Sequence, residues 1–224
     1  MDDHADADLA WLYRETMGRL MNLVAGLTDA ELTTSMPACP AWTVRDMVGH
    51  LTAIPEDAAS GRLKGIPSDE VTAGQVARLA GLPVADVLAR WAAAAPDFER
   101  MITAHQVWPA VIDVASHEQD IRGAVGRPGA RDCAAVQACT PRLLEWLDVP
   151  VPVRIRTEDG EYLAGSDAAG RPELRLTTSR FETFRWRMGR RSRAQLAALG
   201  WSADPAPVLD RLTVFGPAER DVIE

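Results

Sequence analysis

With 47% hydrophobic and 25% charged residues, the 224-residue chain has the composition of an ordinary soluble globular protein, long enough for one sizeable core or one core and a smaller second one. A net charge of -8 argues against a nucleic-acid partner, and no apolar run approaches the roughly 20 residues that a membrane-crossing helix needs. The N-terminus is acidic where a secretory signal would be basic, and Cys39, Cys133 and Cys139 lack a Cys-x-x-Cys spacing. A cytoplasmic protein without a disulfide framework or zinc ribbon is therefore expected.

The charge is uneven: residues 149–224 hold 12 arginines and 11 acidic residues, against 12 basic and 21 acidic residues before them. Leu9, Leu12, Tyr13, Leu20, Met21 and Val24 fall at helical spacing and predict a helix over 8–26 that Gly26 ends. Thr28 and Glu31 form a capping-box pattern, and residues 33–41, with Pro37 and Pro40, read as a loop. Thr43 suits the N-cap of the next helix, Asp46 its third position, and Trp42 is placed to staple onto Met47. Met47, His50, Leu51 and Ile54 share one stripe, so His50 points into the core. A lone histidine there is more often a hydrogen-bonded core residue than a ligand, and only a later partner changes that weighting.

Residues 61–71 read as a loop and 72–80 as a short helix; Pro83 then opens a long helix through Val87, Leu88, Trp91, Phe98 and Ile102, which Pro96 kinks or splits. Pro109 opens the next helix, which stops at Gly126 to Gly129. Within it Asp113, His117 and Asp120 stand four and three residues apart, on one helical face. A carboxylate and an imidazole one turn apart make half of a metal site, and His50 is the best candidate to add to them. The same spacing suits a surface ion pair. However, Val111, Ile112, Val114, Ala115 and Ile121 make the helix apolar almost all round, and buried charges must be paired or bind metal. A further helix over 131–147 follows, giving four principal helices with short ones between.

At Pro150 and Pro152 the pattern changes. Val151, Val153 and Ile155 alternate with polar residues, Asp159-Gly160 reads as a hairpin turn, and residues 161–165 and 174–177 read as further strands. Ser179 and Glu182 form a capping box at a helix start, 196–201 is ambiguous, and 208–215 looks like a final short helix. The expected class is α+β: a helical bundle over 1–148 and a small α+β domain over 149–224. Arg185, Arg187, Arg190, Arg191 and Arg193 crowd into nine residues of the second part, either as a solvated basic face or as an anion clamp for carboxylates.

Three segments carry a resemblance: Cys39 to Leu51 (CPAWTVRDMVGHL), the Asp-x-x-x-His-x-x-Asp run of Asp113 to Asp120 leading into Ala124 to Pro128, and Met188 to Gln195 (MGRRSRAQ). Together they resemble the mycothiol-dependent maleylpyruvate isomerase family, and the resemblance spans nearly the whole chain. It implies a DinB-like four-helix bundle with a divalent metal, usually zinc, followed by a small α+β domain. The family's metal triad would fall on His50, Asp113 and His117, and its active-site arginine on Arg190, with Arg191 close behind. Asp113 stands where the family more often has glutamate, one methylene longer. Asp120 is read as orienting an imidazole, with a plain helix-surface role as the alternative.

The resemblance further implies a low-molecular-weight thiol cofactor, mycothiol or its like, and a small carboxylated substrate, in a monomer or homodimer. The reaction would be isomerisation of a cis-enoic acid such as maleylpyruvate, or thiol S-transfer. The alternative is a non-catalytic ligand-binding or regulatory module with a weakened metal site. A weaker third reading makes Cys39 an intrinsic nucleophile.

Overall fold

The computed structural model describes residues 7–165 and 172–224; the first six residues of the acidic N-terminal stretch lie outside them. Helix α1 (Leu9–Ala25) starts where Asp8 accepts a hydrogen bond from the Trp11 N–H at 2.9 Å, and it buries Leu9, Leu12, Tyr13, Thr16, Leu20 and Val24. Thr28 and Glu31 form the expected capping box of the one-turn helix α2 (Asp29–Leu32). The stretch read as a loop instead contains a small antiparallel ribbon, β1 (Ser35–Met36) and β2 (Cys39–Thr43), because the extended backbone that Pro37 and Pro40 favour also suits a two-stranded pairing.

Helix α3 (Val44–Ala59) begins at a complete capping box: Thr43 accepts from the Asp46 N–H at 3.2 Å, and Asp46 accepts from the Thr43 N–H at 2.8 Å. Helix α4 (Asp69–Leu79) starts three residues earlier than the pattern suggested, since Ser68 caps it. Helix α5 (Val84–Ala104) runs unbroken through Pro96, and α6 (Trp108–Ala124) follows. Helix α1 packs against α5 and α6, and α3 packs against the same two, which closes a four-helix bundle with α4 laid on α3.

The remaining elements are α7 (Ala134–Glu145), β3 (Val153–Thr157), β4 (Gly160–Ala164), β5 (Leu174–Thr177), α8 (Arg180–Arg187), α9 (Arg193–Ala197) and β6 (Gly200–Trp201). The sheet order is β4-β3-β5-β6, with β3 and β5 parallel and the outer pairings antiparallel. Thr157 pairs with Gly160, so Glu158 and Asp159 form the two-residue hairpin loop. Val153, Ile155, Leu174 and Leu176 turn one face of the sheet onto Trp186, Leu196, Leu209 and Leu212. Instead of a final helix over 208–215 there is a single 3-10 turn at Leu209–Arg211.

Two compact units result, one reaching to Gly129 and including Glu224, the other running from Ala130 to Ile223. The expected boundary lay after residue 148. The units divide earlier because α7 packs against α8 and β4 of the second unit, so the bundle's four helices are α1, α3, α5 and α6.

The arginine run is not a solvated face. Arg185, Arg187, Arg190 and Arg191 are all buried, and Arg193 alone of the five is exposed, facing Asp210. Arg187 donates to the carbonyls of Leu143, at 2.9 Å, and Leu212, and burial holds its pKa down to about 10. A guanidinium offers five donors in a fixed fork, so carbonyl oxygens left free at helix ends can take it out of water.

Candidate metal centre

The bundle brings together the residues that the spacing singled out. His50 comes from the middle of α3, two turns past its cap; Asp113 and His117 sit one turn apart on α6. His50 Nε2 lies 3.7 Å from Asp113 Oδ2, and His117 Nε2 lies 3.3 Å from Asp113 Oδ1. The two imidazole rings are 5.6 Å apart and nearly perpendicular, and one ligand atom from each of the three residues falls within 4.8 Å of the others. Among the described residues this is the one such grouping of His, Cys, Asp and Glu; Cys39, on β2, is not part of it.

The spacing has a physical meaning. A charge-assisted N–H···O bond would be about 2.7–2.9 Å, so both contacts to Asp113 are longer than direct pairing would make them. Bonds of about 2.0–2.2 Å to a tetrahedral cation put neighbouring ligand atoms roughly 3.3–3.6 Å apart. The donor set, two neutral imidazole nitrogens and one carboxylate, is also the type that catalytic zinc takes.

Each imidazole is held from behind. His117 Nδ1 lies 2.9 Å from Asp120 Oδ2, and His50 Nδ1 lies 3.0 Å from Gln75 Oε1. Both rings therefore turn Nε2 toward Asp113. Trp42, which the sequence pattern placed for a staple, lies beside His50, its ring 5.3 Å from the imidazole. His50 and His117 are buried, whereas 35% of the Asp113 side chain is exposed, so the cluster is open on the carboxylate side.

Burial opposes charge on His117, but Asp113 and Asp120 outweigh it and hold the imidazole above its usual pKa. Burial likewise opposes the Asp113 carboxylate, yet His117 and His50 hold it well below the ordinary range. Burial raises the pKa of the Tyr13 phenol on α1 against the hydrogen bond donated by the Trp91 indole, and the Asp113 charge adds to that rise.

Arg190 and Arg191 belong to the second unit, just after α8. Arg191 closes its fork onto Glu182 at 2.6 and 2.8 Å, and Arg190 donates to the Met188 carbonyl at 2.6 Å. Sequence reasoning missed Gln75 and its partner Asp57. A signal existed for the second: Asp57 stands seven residues after His50, two turns along the same face of α3.

The family model of the mycothiol maleylpyruvate isomerase N-terminal domain matches residues 13–135, more than half of the chain and all three clustered residues. The chain belongs to the mycothiol-dependent maleylpyruvate isomerase family. Two solved structures share the fold. A crystal structure of a mycothiol-dependent maleylpyruvate isomerase superposes with a TM-score of 0.57 at 14% identity, covering 81% of this chain and 88% of that one. A histidine-to-alanine mutant of a mycothiol-dependent maleylpyruvate isomerase gives 0.56 at 12% identity, with the same coverage. No curated protein matches the chain. Among the described residues no helix is long and apolar enough to cross a membrane.

Proposed function

We propose that His50, Asp113 and His117 hold a divalent cation, most simply zinc, and that the protein uses it with a mycothiol-like thiol to isomerise a cis-enoic acid of the maleylpyruvate type. The observation that carries this reading is the pair of imidazoles, each fixed through Nδ1, converging through Nε2 on one half-open carboxylate. When bound, the cation supplies Lewis acidity that keeps a small-molecule thiol as thiolate near neutral pH, the nucleophile such an isomerisation requires. Three protein ligands leave a position open for it, and the exposed side of Asp113 is where it would enter.

The chain's own residues do the rest. His117 must give up its proton to ligate, and Asp120 then holds the ring by its Nδ1–H. Trp42 shields His50 from water. Arg190, with Arg191 close behind, is the arginine that the family resemblance offers for the substrate carboxylate. Thiol S-transfer on the same site is the second chemistry to assay, since likeness at 12–14% identity leaves the substrate open.

The test is metal content followed by activity. About one divalent ion per chain is expected after purification, lost in His50→Ala and His117→Ala while circular dichroism stays helical. Full occupancy in both variants would sink the assignment. A protein that refuses added zinc would favour the non-catalytic module. With metal in place, isomerisation and S-transfer assays with mycothiol separate the two chemistries.

A further inference from the structure

Helix α4 is a surface helix that buries only Gln75 and Leu79, and Gln75 is 1% exposed. A primary amide so deeply buried is costly unless both its ends are bonded, and here both are. Its Oε1 faces His50 Nδ1 at 3.0 Å, and its Nε2 donates to Asp57 Oδ2 at 2.9 Å. The other oxygen of Asp57, Oδ1, accepts from Arg62 and Arg78, each at 2.8 Å.

These contacts have a direction. The two arginines keep Asp57 ionised, and an ionised carboxylate only accepts. Gln75 must therefore turn its NH2 end to Asp57, which leaves its oxygen for His50. An oxygen there only accepts, so His50 Nδ1 must carry a proton, and in the neutral ring Nε2 is left with a lone pair that faces Asp113.

We propose that Gln75, oriented by Asp57, is a positioning residue that fixes the Nδ1-protonated tautomer of His50 and so makes its Nε2 a ready ligand. The proposal rests on the metal reading only for its purpose; the tautomer itself is a property of the metal-free chain. It gives α4 a role beyond packing, since a purely structural glutamine would be indifferent to which nitrogen of His50 holds the proton.

The experiment is 15N-detected imidazole NMR on the full-length, metal-free protein, paired with zinc titration. The wild type is expected to show His50 protonated at Nδ1. Gln75→Leu removes the acceptor toward His50 and is expected to release the tautomer and weaken zinc about 10- to 100-fold. Asp57→Asn is the sharpest variant. The amide oxygen introduced at 57 stays with the arginines, its NH2 faces Gln75, and Gln75 must flip to present its own NH2 to His50. The tautomer should invert to Nε2–H, and zinc binding should fall. If Gln75→Leu does not fold, Asp57→Asn decides. A wild-type tautomer unchanged in Asp57→Asn or in folded Gln75→Leu would overturn the proposal. A fixed tautomer in a wild type that binds no zinc would instead overturn the metal reading and leave the relay standing.

Discussion

Helix α6 carries two carboxylates five residues apart that are treated in opposite ways. Glu118 is fully buried and gripped by Arg19 from α1, at 3.1 and 2.8 Å, and by Arg122 one turn on, at 3.1 and 3.0 Å. Its charge is answered by fixed cations, Arg19 reaching both oxygens and Arg122 placing two donors on Oε1, so four donors already occupy the carboxylate. Asp113 faces two imidazoles at distances too long for direct pairing, and a third of its side chain reaches solvent. On one helix, then, a carboxylate closed by guanidinium groups ties elements together, while one left facing titratable nitrogens beside an opening is poised for chemistry.

The largest expected effect breaks this contrast on the side of stability. Glu118→Ala would leave the half-buried Arg19 and Arg122 without their shared, fully buried carboxylate and should cost about 2–3 kcal/mol in urea unfolding. Asp113→Ala in the metal-free protein should cost about 1 kcal/mol or less, because the group is partly exposed and His117 keeps Asp120. Similar losses in the two variants would mean that Asp113 is as structural as Glu118.

That contrast was only half legible in the sequence. The Asp113-to-His117 spacing, the His50 stripe and the capping box at Thr43 and Asp46 are local patterns, and the fold realises each of them. The partners of buried charges are not local. Arg19 lies 99 residues from Glu118, and Gln75 lies 25 from His50 on a helix that looks like ordinary surface polar sequence. The arginine run stayed ambiguous for the same reason. A charge cluster reads as solvated until distant carbonyls, such as those of Leu143 and Leu212, are seen to receive it. Helix α7 has bundle-like periodicity but packs on α8, and no periodicity names the surface that a helix will choose.

A middle-sized effect sharpens the contrast through pH. The His117 pKa is raised, so its contribution to the metal-free fold is fully present below the unfolded value of 6.5 and lost as pH rises through the folded value. Asp113 runs the other way, contributing above its unfolded 3.8 and losing that contribution only as pH falls through its depressed folded value. Zinc must displace the His117 proton, so affinity should fall about tenfold per pH unit below the raised pKa, from this residue alone. Calorimetric titration across pH 5 to 8 would measure it. Thermal stability with excess zinc should rise with pH over the range in which the His117 contribution to the metal-free protein declines. Affinity flat over that range would mean that His117 is not a ligand.

The smallest expected effect concerns the one methylene that separates Asp113 from the glutamate that the resemblance leads one to expect there. In Asp113→Glu the longer side chain starts from the same turn of α6 and has the open side of the cluster to extend into, since Asp113 is already partly exposed. The two imidazoles do not have to move, because each is fixed from behind by Gln75 or Asp120. Zinc affinity should therefore stay the same or tighten by up to about tenfold, roughly 1.4 kcal/mol, with no change in the tautomer of His50. Competition titration against a chelator of known affinity resolves a change of that size. Loss of zinc on this substitution would mean that the carboxylate at 113 is held as rigidly as Glu118, and that the difference between the two faces of α6 is one of exposure rather than of function.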